Sequence, residues 1–308
     1  MHKDEISINQ SSVRQLIDDQ FPSFADYPLK QLGSFGSTNV QYRLGEEFIV
    51  RLPRQPGSGA TIQKEAYWTP IIGQHLPISV PEFIEIGKPA FGYSEHWAIL
   101  RWLDGEHPAV WNTTSPPKPD QSQLATDLAE TILALRNIDL PSEEFTRASL
   151  HNYRGRALAE YDPQMRQNFK LCRAIDDLNL DIDTAEKIWH DALHLPSDTA
   201  EPPTTWYHSD LVAENLLMQN NQLTSVLDFG ALGIGDPTID LHGAWELFDP
   251  ATRDLFRKKI GASDAEWARG RAWALAVSLM TFPYYWHTMP NRIRDRLAMA
   301  RAVLAEQD

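Results

Sequence analysis

The stretch Trp206-Tyr-His-Ser-Asp-Leu-Val-Ala-Glu-Asn-Leu-Leu217, followed by Leu223-Thr-Ser-Val-Leu-Asp-Phe-Gly230, decides how this chain reads. It places His208 and Asp210 in a loop, Asn215 one short turn further on, and a second aspartate, Asp228, at the end of an apolar, strand-like run. Two carboxylates and an amide offer oxygens that suit a hard cation such as Mg²⁺, which takes one or two carboxylates plus phosphate oxygens and keeps several waters. The carboxylate left over can accept a proton from a hydroxyl nucleophile. Asp and Asn are also ordinary loop residues that hydrogen-bond their own backbone, so each position alone has a plain turn-forming explanation. Their ordered combination points instead to a site.

Working outward toward the N-terminus, Leu29 to Leu103 is a series of short runs separated by turns. Phe48-Ile-Val-Arg-Leu52 and Trp97-Ala-Ile-Leu-Arg-Trp-Leu103 read as strands, being rich in β-branched and aromatic residues and bounded by Gly45 and Gly105. Gln63 to Trp68, with Ile71 and Ile72, predicts a helix ending near Leu76-Pro77, and Val13 to Asp19 predicts a short amphipathic one. Pro116-Pro-Lys-Pro119 continues neither strand nor helix and reads as a linker or surface loop. Beyond it the texture is helical. Leu124, Leu128, Ile132 and Leu135 share one face, and both Asp183-Thr-Ala-Glu186 and Ser263-Asp-Ala-Glu266 have capping-box spacing. Ala272 to Trp286 is too short for a membrane span and carries Ser278, Thr281 and Pro283, so it reads as a buried helix. The pattern predicts two lobes, 1–104 mostly sheet with one helix and 105–308 mainly helical.

A chain of 308 residues with 42% hydrophobic and 23% charged residues is that of a folded globular protein rather than a disordered, coiled-coil or collagen-like one. Its 28 Lys+Arg against 42 Asp+Glu give a formal charge of −14, which repels a phosphate backbone and attracts cationic small molecules. No nucleic-acid partner is expected. The N-terminal segment Met1-His-Lys-Asp-Glu-Ile6 lacks the apolar stretch of a secretory signal, and the single cysteine, Cys172, can form no internal disulfide. A cytoplasmic location without membrane attachment is the expectation.

At His208-x-Asp210-x-x-x-x-Asn215 and Asp228-x-Gly230 the sequence resembles the aminoglycoside phosphotransferase family, small-molecule kinases that share the protein-kinase fold. The resemblance continues into Gly235-Asp-Pro-Thr-Ile-Asp-Leu241 and covers the chain from about Gly33 to Trp245. It implies a bilobal, protein-kinase-like α+β fold, with an antiparallel sheet plus helix in the N-terminal lobe, and an active site in the cleft. It also implies Mg²⁺-dependent transfer of the γ-phosphoryl group of ATP or GTP to a small-molecule hydroxyl. By resemblance Asp210 is the catalytic carboxylate, His208 braces its loop, and Asn215 and Asp228 hold the metal.

The resemblance assigns the nucleotide clamp to the first lobe. Gly33, Ser34, Gly36 and Ser37 lie where a glycine-rich loop would fold over phosphates, although a simple hairpin turn explains the same glycines. Arg51 stands where the family carries a strand lysine, with Glu65 as its helix partner. A guanidinium is a planar, permanently charged fork and an ammonium a point charge, so this departure alters phosphate geometry. It leaves open a surface ion pair or a nucleotide-binding pseudokinase without turnover. Arg101, Trp102 and Leu103 fall at the family's interlobe hinge, where backbone groups meet the purine; a core strand accounts for their apolar neighbours equally well.

Downstream, Glu246 and Asp249 among Trp245, Phe248, Trp267, Trp273, Phe282, Tyr284, Tyr285 and Trp286 are candidates to bind a cationic acceptor, with the aromatics more often core than binding surface. An aminoglycoside is the leading acceptor, a macrolide the second, as Arg51-Leu-Pro-Arg54 and His75-Leu-Pro-Ile-Ser-Val-Pro81 also resemble macrolide kinases, and a choline-like alcohol the third. Acceptor identity, the hydroxyl used, the base of the nucleotide, oligomeric state and a role in antibiotic resistance are not legible.

Overall fold

The computed structural model describes residues 5–33, 38–113, 120–139, 148–195 and 204–306. Ser34, Gly36 and Ser37 of the glycine-rich segment, and the Pro116–Pro119 stretch, lie outside them. The chain divides into two compact units, one formed by Met1–Gln74, Ser79–Asp104 and Leu227–Gly230, the other by His75–Ile78, Gly105–Val226 and Ala231–Asp308.

The first unit is built on a five-stranded antiparallel sheet. Its strands are β1 (Leu29–Gln31), β2 (Asn39–Leu44), β3 (Phe48–Pro53), β4 (Phe83–Gly87) and β5 (Trp97–Arg101), in the order β1-β2-β3-β5-β4. Strand β2 alternates strictly, with Val40, Tyr42 and Leu44 inward, because successive side chains of a strand point to opposite faces. Those residues, with Val50, Leu52, Trp97 and Ile99, pack on Val13, Leu16 and Ile17 of α1 (Gln10–Gln20). The other face carries Ala98 and Leu100, which pack on Ile62 of α2 (Gly59–Gly73). The sheet is therefore covered by a helix on each side, and the register places Arg51 opposite Gln41 and Ala98.

The second unit is mainly helical. Its long elements are α3 (Ser122–Arg136), α4 (Leu158–Arg173), α5 (Ile182–Leu193), α7 (Pro250–Ile260), α8 (Asp264–Tyr285) and α9 (Pro290–Ala305), with one short helix, α6 (Ala244–Leu247). Leu124, Leu128, Ile132 and Leu135 all turn inward from α3, as their spacing predicts. Two small antiparallel pairs hold the functional loops: β6 (Thr205–Tyr207) with β9 (Gly233–Gly235), and the hairpin β7 (Leu216–Gln219) with β8 (Gln222–Val226). The hairpin turns through Asn220 and Asn221, both at positive φ, the conformation that a two-residue turn matching strand twist requires.

Helix α8 begins at the expected capping box: Ser263 Oγ accepts from Glu266 N–H and Glu266 Oε2 from Ser263 N–H. The other expected box does not form. Asp181, two residues upstream, caps α5 by accepting from Thr184 N–H, while Asp183 and Glu186 both bind the Arg173 guanidinium. Among the described residues no helix is long and apolar enough to cross a membrane.

The end of α9 is tied to the core by Glu306. Its carboxylate accepts from the indole N–H of Trp245 (2.6 Å) and of Trp267 (3.0 Å) and lies 3.3 Å from Arg253 Nε. Arg253 is only 4% exposed, so Glu306→Ala strands a buried cation and two indole donors. It is expected to lower unfolding free energy by about 2 kcal/mol, read from urea titrations. A denaturation midpoint equal to wild type would mean that these contacts do not stabilise the fold.

Candidate active site

The loop between β6 and β7 is held in shape by a buried carboxylate. Asp240, 1% exposed, accepts from the backbone N–H of His208 (3.0 Å) and of Ser209 (2.6 Å). Ser209 sits at φ +72°, a conformation uncommon for any residue with a Cβ, so the two bonds to Asp240 stabilise a loop that would otherwise relax. His208, 1% exposed, accepts the Asp210 N–H at Nδ1 (3.3 Å).

Asp210 is gripped on both oxygens. Oδ2 accepts from Asn215 Nδ2 at 2.8 Å, and Oδ1 from Arg154 Nη1 at 3.0 Å. Asn215 Nδ2 also donates to the Asp210 carbonyl at 2.9 Å. Both partners are pure acceptors, so the amide nitrogen must face them, which directs Asn215 Oδ1 away from Asp210. Burial alone would push the Asp210 carboxyl up; Arg154 and Arg296 hold it well below the usual carboxylate range. His242 is fully buried, and that burial pushes its imidazole down to about 4, leaving it neutral.

The loop also leans on neighbouring backbone. Asp236 N–H donates to the Gly155 carbonyl, and a Cβ built on Gly243 would lie 1.9 Å from the Leu211 carbonyl oxygen. Gly243→Ala must therefore displace the loop immediately beyond Asp210. A loss of about 2 kcal/mol in stability is expected, together with reduced turnover. A variant with wild-type melting and wild-type activity would show that the loop yields freely at this point.

Glu246 and Asp249 do not have the geometry of acceptor ligands. Glu246 is 1% exposed; its Oε1 accepts from Ala213 N–H (2.8 Å) and its Oε2 from Arg296, so both oxygens brace the loop from within. Asp249 Oδ1 accepts from Thr252 N–H at 2.8 Å and caps α7. Trp245, Trp267, Trp273 and Phe282 are core residues, whereas Tyr284 is 53% exposed.

The first unit gathers the remaining candidates. Arg51 Nη2 donates to Glu65 Oε1 at 2.7 Å, and the two residues are 6% and 1% exposed, so this is a buried pair and not a surface one. Burial pushes the Glu65 carboxyl up to about 7 against the pull of Arg51, and Asp228 adds to the rise. Arg51 stays charged, because Glu65 and Asp228 outweigh the effect of its burial. Arg51 Nε and Glu65 Oε2 are buried without a hydrogen-bond partner among the described residues.

Asp228, at φ +60°, accepts a long contact from Gly230 N–H (3.4 Å), and Lys64 Nζ donates to the Gly230 carbonyl at 3.1 Å. Gly33 is exposed between β1 and β2. After β5, Arg101 N–H donates to the Glu82 carbonyl and Trp102 N–H to the Glu47 carbonyl, with Leu103 half-buried beyond them. Arg154, Asp240 and Lys64 are the site residues that sequence reasoning missed; Asp240 lies within the quoted Gly235–Leu241 segment, while nothing local marks Arg154.

A five-stranded sheet unit with a buried Arg51–Glu65 pair, and a mainly helical unit whose aspartate loop is closed by Asn215, make up a protein-kinase-like fold. The chain belongs to the phosphotransferase enzyme family, whose model matches residues 30–273. Comparison with curated proteins gave no match. Among solved structures it is similar to the GDP complex of wild-type aminoglycoside 2'-phosphotransferase-IIIa, with 17% identity, TM-score 0.74 and coverage of 97% of this chain and 99% of that one. It is also similar to ADP-bound aminoglycoside phosphotransferase APH(2'')-Ib, with 18% identity, TM-score 0.63 and coverage of 96% and 99%. A third likeness is to macrolide 2'-phosphotransferase MphH from Brachybacterium faecium, with 18% identity, TM-score 0.62 and coverage of 97% and 99%.

Proposed function

We propose that the protein transfers the γ-phosphoryl group of ATP or GTP to a hydroxyl of a small molecule in a Mg²⁺-dependent reaction. The orientation of Asn215 carries this reading. With its amide nitrogen committed to Asp210, its Oδ1 is left for a cation, and Asp228 has no ion-pair partner among the described residues. Carboxylate and amide oxygens are the kind of donor that suits Mg²⁺, which completes its shell with phosphate oxygens and waters. When bound, the ion neutralises charge on the phosphates.

Arg51 carries an unpartnered Nε and fits a phosphate oxygen, with Glu65 fixing its direction. Asp210, held by Asn215 and Arg154, orients the acceptor hydroxyl and takes its proton as the phosphoryl group departs from the nucleotide. Most of the acceleration then comes from positioning and electrostatics.

Aminoglycosides are the first acceptors to test, since similar structures hold kanamycin, gentamicin and streptomycin and the charge of −14 attracts cations. Macrolides come second, on the likeness to macrolide phosphotransferases. Thermal shift with ATP and GTP, with and without Mg²⁺, followed by γ-phosphate transfer to aminoglycosides, macrolides and amino alcohols, tests the assignment. Mg²⁺-dependent binding without transfer to any acceptor would identify a nucleotide-binding pseudoenzyme instead.

A further inference from the structure

The residue before Asn215 is Glu214, and side chains of helix α9, 78 positions further along the chain, hold its carboxylate. Arg292 Nη2 donates to Glu214 Oε1 at 2.8 Å and to Oε2 at 2.9 Å, and Arg296 Nη2 donates to Oε1 at 3.2 Å. The spacing from Arg292 to Arg296 puts both guanidiniums on one face of α9. Arg296 also donates to Glu246 Oε2, while Glu246 Oε1 accepts from Ala213 N–H at 2.8 Å. The tight turn Ala213–Asn215 is therefore held at two consecutive residues, by the backbone of Ala213 and by the side chain of Glu214. Asn215 N–H closes the turn on the Val212 carbonyl at 2.9 Å.

We propose that Arg292 and Arg296 are positioning residues for Asn215: acting through Glu214, they fix the turn from which Asn215 presents Oδ1, and so set how tightly a nucleotide-bound Mg²⁺ is held. This rests on the phosphotransferase reading above. The bonds from Asn215 Nδ2 to Asp210 fix one end of the amide, but they leave its far oxygen free to tilt unless the backbone beneath it is also fixed. A carboxylate gripped by two guanidiniums, one residue away, supplies that second constraint. Outer contacts of this kind orient the groups that touch a metal, and their loss typically weakens metal binding by about 10–100-fold. Arg296 and Glu246 are buried, so removing either leaves an uncompensated charge in the core. Arg292 and Glu214, with side chains 17% and 31% exposed, can be altered at less cost to folding.

The test is calorimetric titration of the purified full chain with ADP and with GDP, in excess EDTA and in saturating Mg²⁺. The ratio of the two dissociation constants gives the Mg²⁺-linked gain in nucleotide affinity, expected to be about tenfold in wild type. Arg292→Met should lose most of this gain while its affinity for metal-free nucleotide stays within about twofold of wild type. Glu214→Gln should do the same by a different route, since its amide keeps one acceptor oxygen and turns an NH₂ toward the arginines. Arg292→Lys, which keeps the charge and loses the planar fork, should fall between Arg292→Met and wild type. Excess Mg²⁺ should restore much of the turnover of Arg292→Met. If both Arg292→Met and Glu214→Gln keep the wild-type gain, or weaken metal-free and Mg²⁺-bound nucleotide equally, the arginines only support the fold and the proposal falls. A wild-type protein that binds nucleotide equally well with and without Mg²⁺ would be a different result, overturning the Mg²⁺-dependent reading and this inference with it.

Discussion

Asp210→Asn is expected to lower kcat by about a thousandfold or more while leaving nucleotide affinity within a few-fold of wild type. The substitution keeps the shape of the side chain but halves its acceptors. In the wild-type protein both carboxylate oxygens face donors, Arg154 Nη1 and Asn215 Nδ2. An asparagine must turn its own NH₂ toward one of them, so one contact becomes donor against donor, and the oriented acceptor for the substrate hydroxyl is lost. Arg51, Glu65 and Asp228 belong to the other unit and are untouched, which is why binding of ATP or GTP should persist. Single-turnover kinetics with a saturating acceptor, set beside nucleotide titrations of both proteins, separates the two effects. Asp210→Ala, which removes the donor clash, should lose as much activity with less disturbance of the loop. If either variant instead loses nucleotide affinity with little change in kcat, Asp210 serves the nucleotide and not the acceptor.

Much of this was legible in the sequence wherever the physics is local. His208, Asp210 and Asn215 lie within one loop, so their spacing already limits where the side chains can go. The strands announce themselves as β-branched and aromatic runs between glycines, α3 by its period of three to four, and Ser263 caps α8 as its spacing predicts. The reading failed where a distant residue decided the outcome. Asp183 and Glu186 have capping-box spacing, yet Arg173 from α4 recruits both, and Asp181 becomes the cap. Glu246 looked like an acceptor ligand beside aromatic residues, but Arg296, fifty positions later, turns it inward. Arg154 stands 56 positions before Asp210, in a segment with no motif, and only the folded chain brings the two together. Charge patterning along the sequence reports which ions are present. It does not report which of them neutralise one another.

The same limit applies to Glu65, whose partner was legible and whose burial was not. The wild-type protein should become less stable between about pH 5 and 8, and Glu65→Gln should remove much of that change. Burial raises the Glu65 carboxyl from 4.5 to about 7, so the folded state binds this proton more tightly than the unfolded state does. Stability contributed by the protonated form is complete below 4.5 and is lost as pH rises through about 7. The full swing is about 3 kcal/mol for a rise of this size.

Glutamine mimics the protonated acid and does not titrate, so the variant should match wild type near pH 5 and exceed it near pH 8, as measured by urea unfolding of the nucleotide-free protein. Activity should run the other way. An ionised Glu65 directs Arg51 toward phosphate, so kcat/KM for the nucleotide is expected to fall below about pH 7 in wild type, while in Glu65→Gln it is low and flat. Parallel stability curves for the two proteins would mean that Glu65 ionises at an ordinary pH. Arg51 would then sit in a full ion pair throughout the neutral range, and the acid limb of activity would have to come from another group.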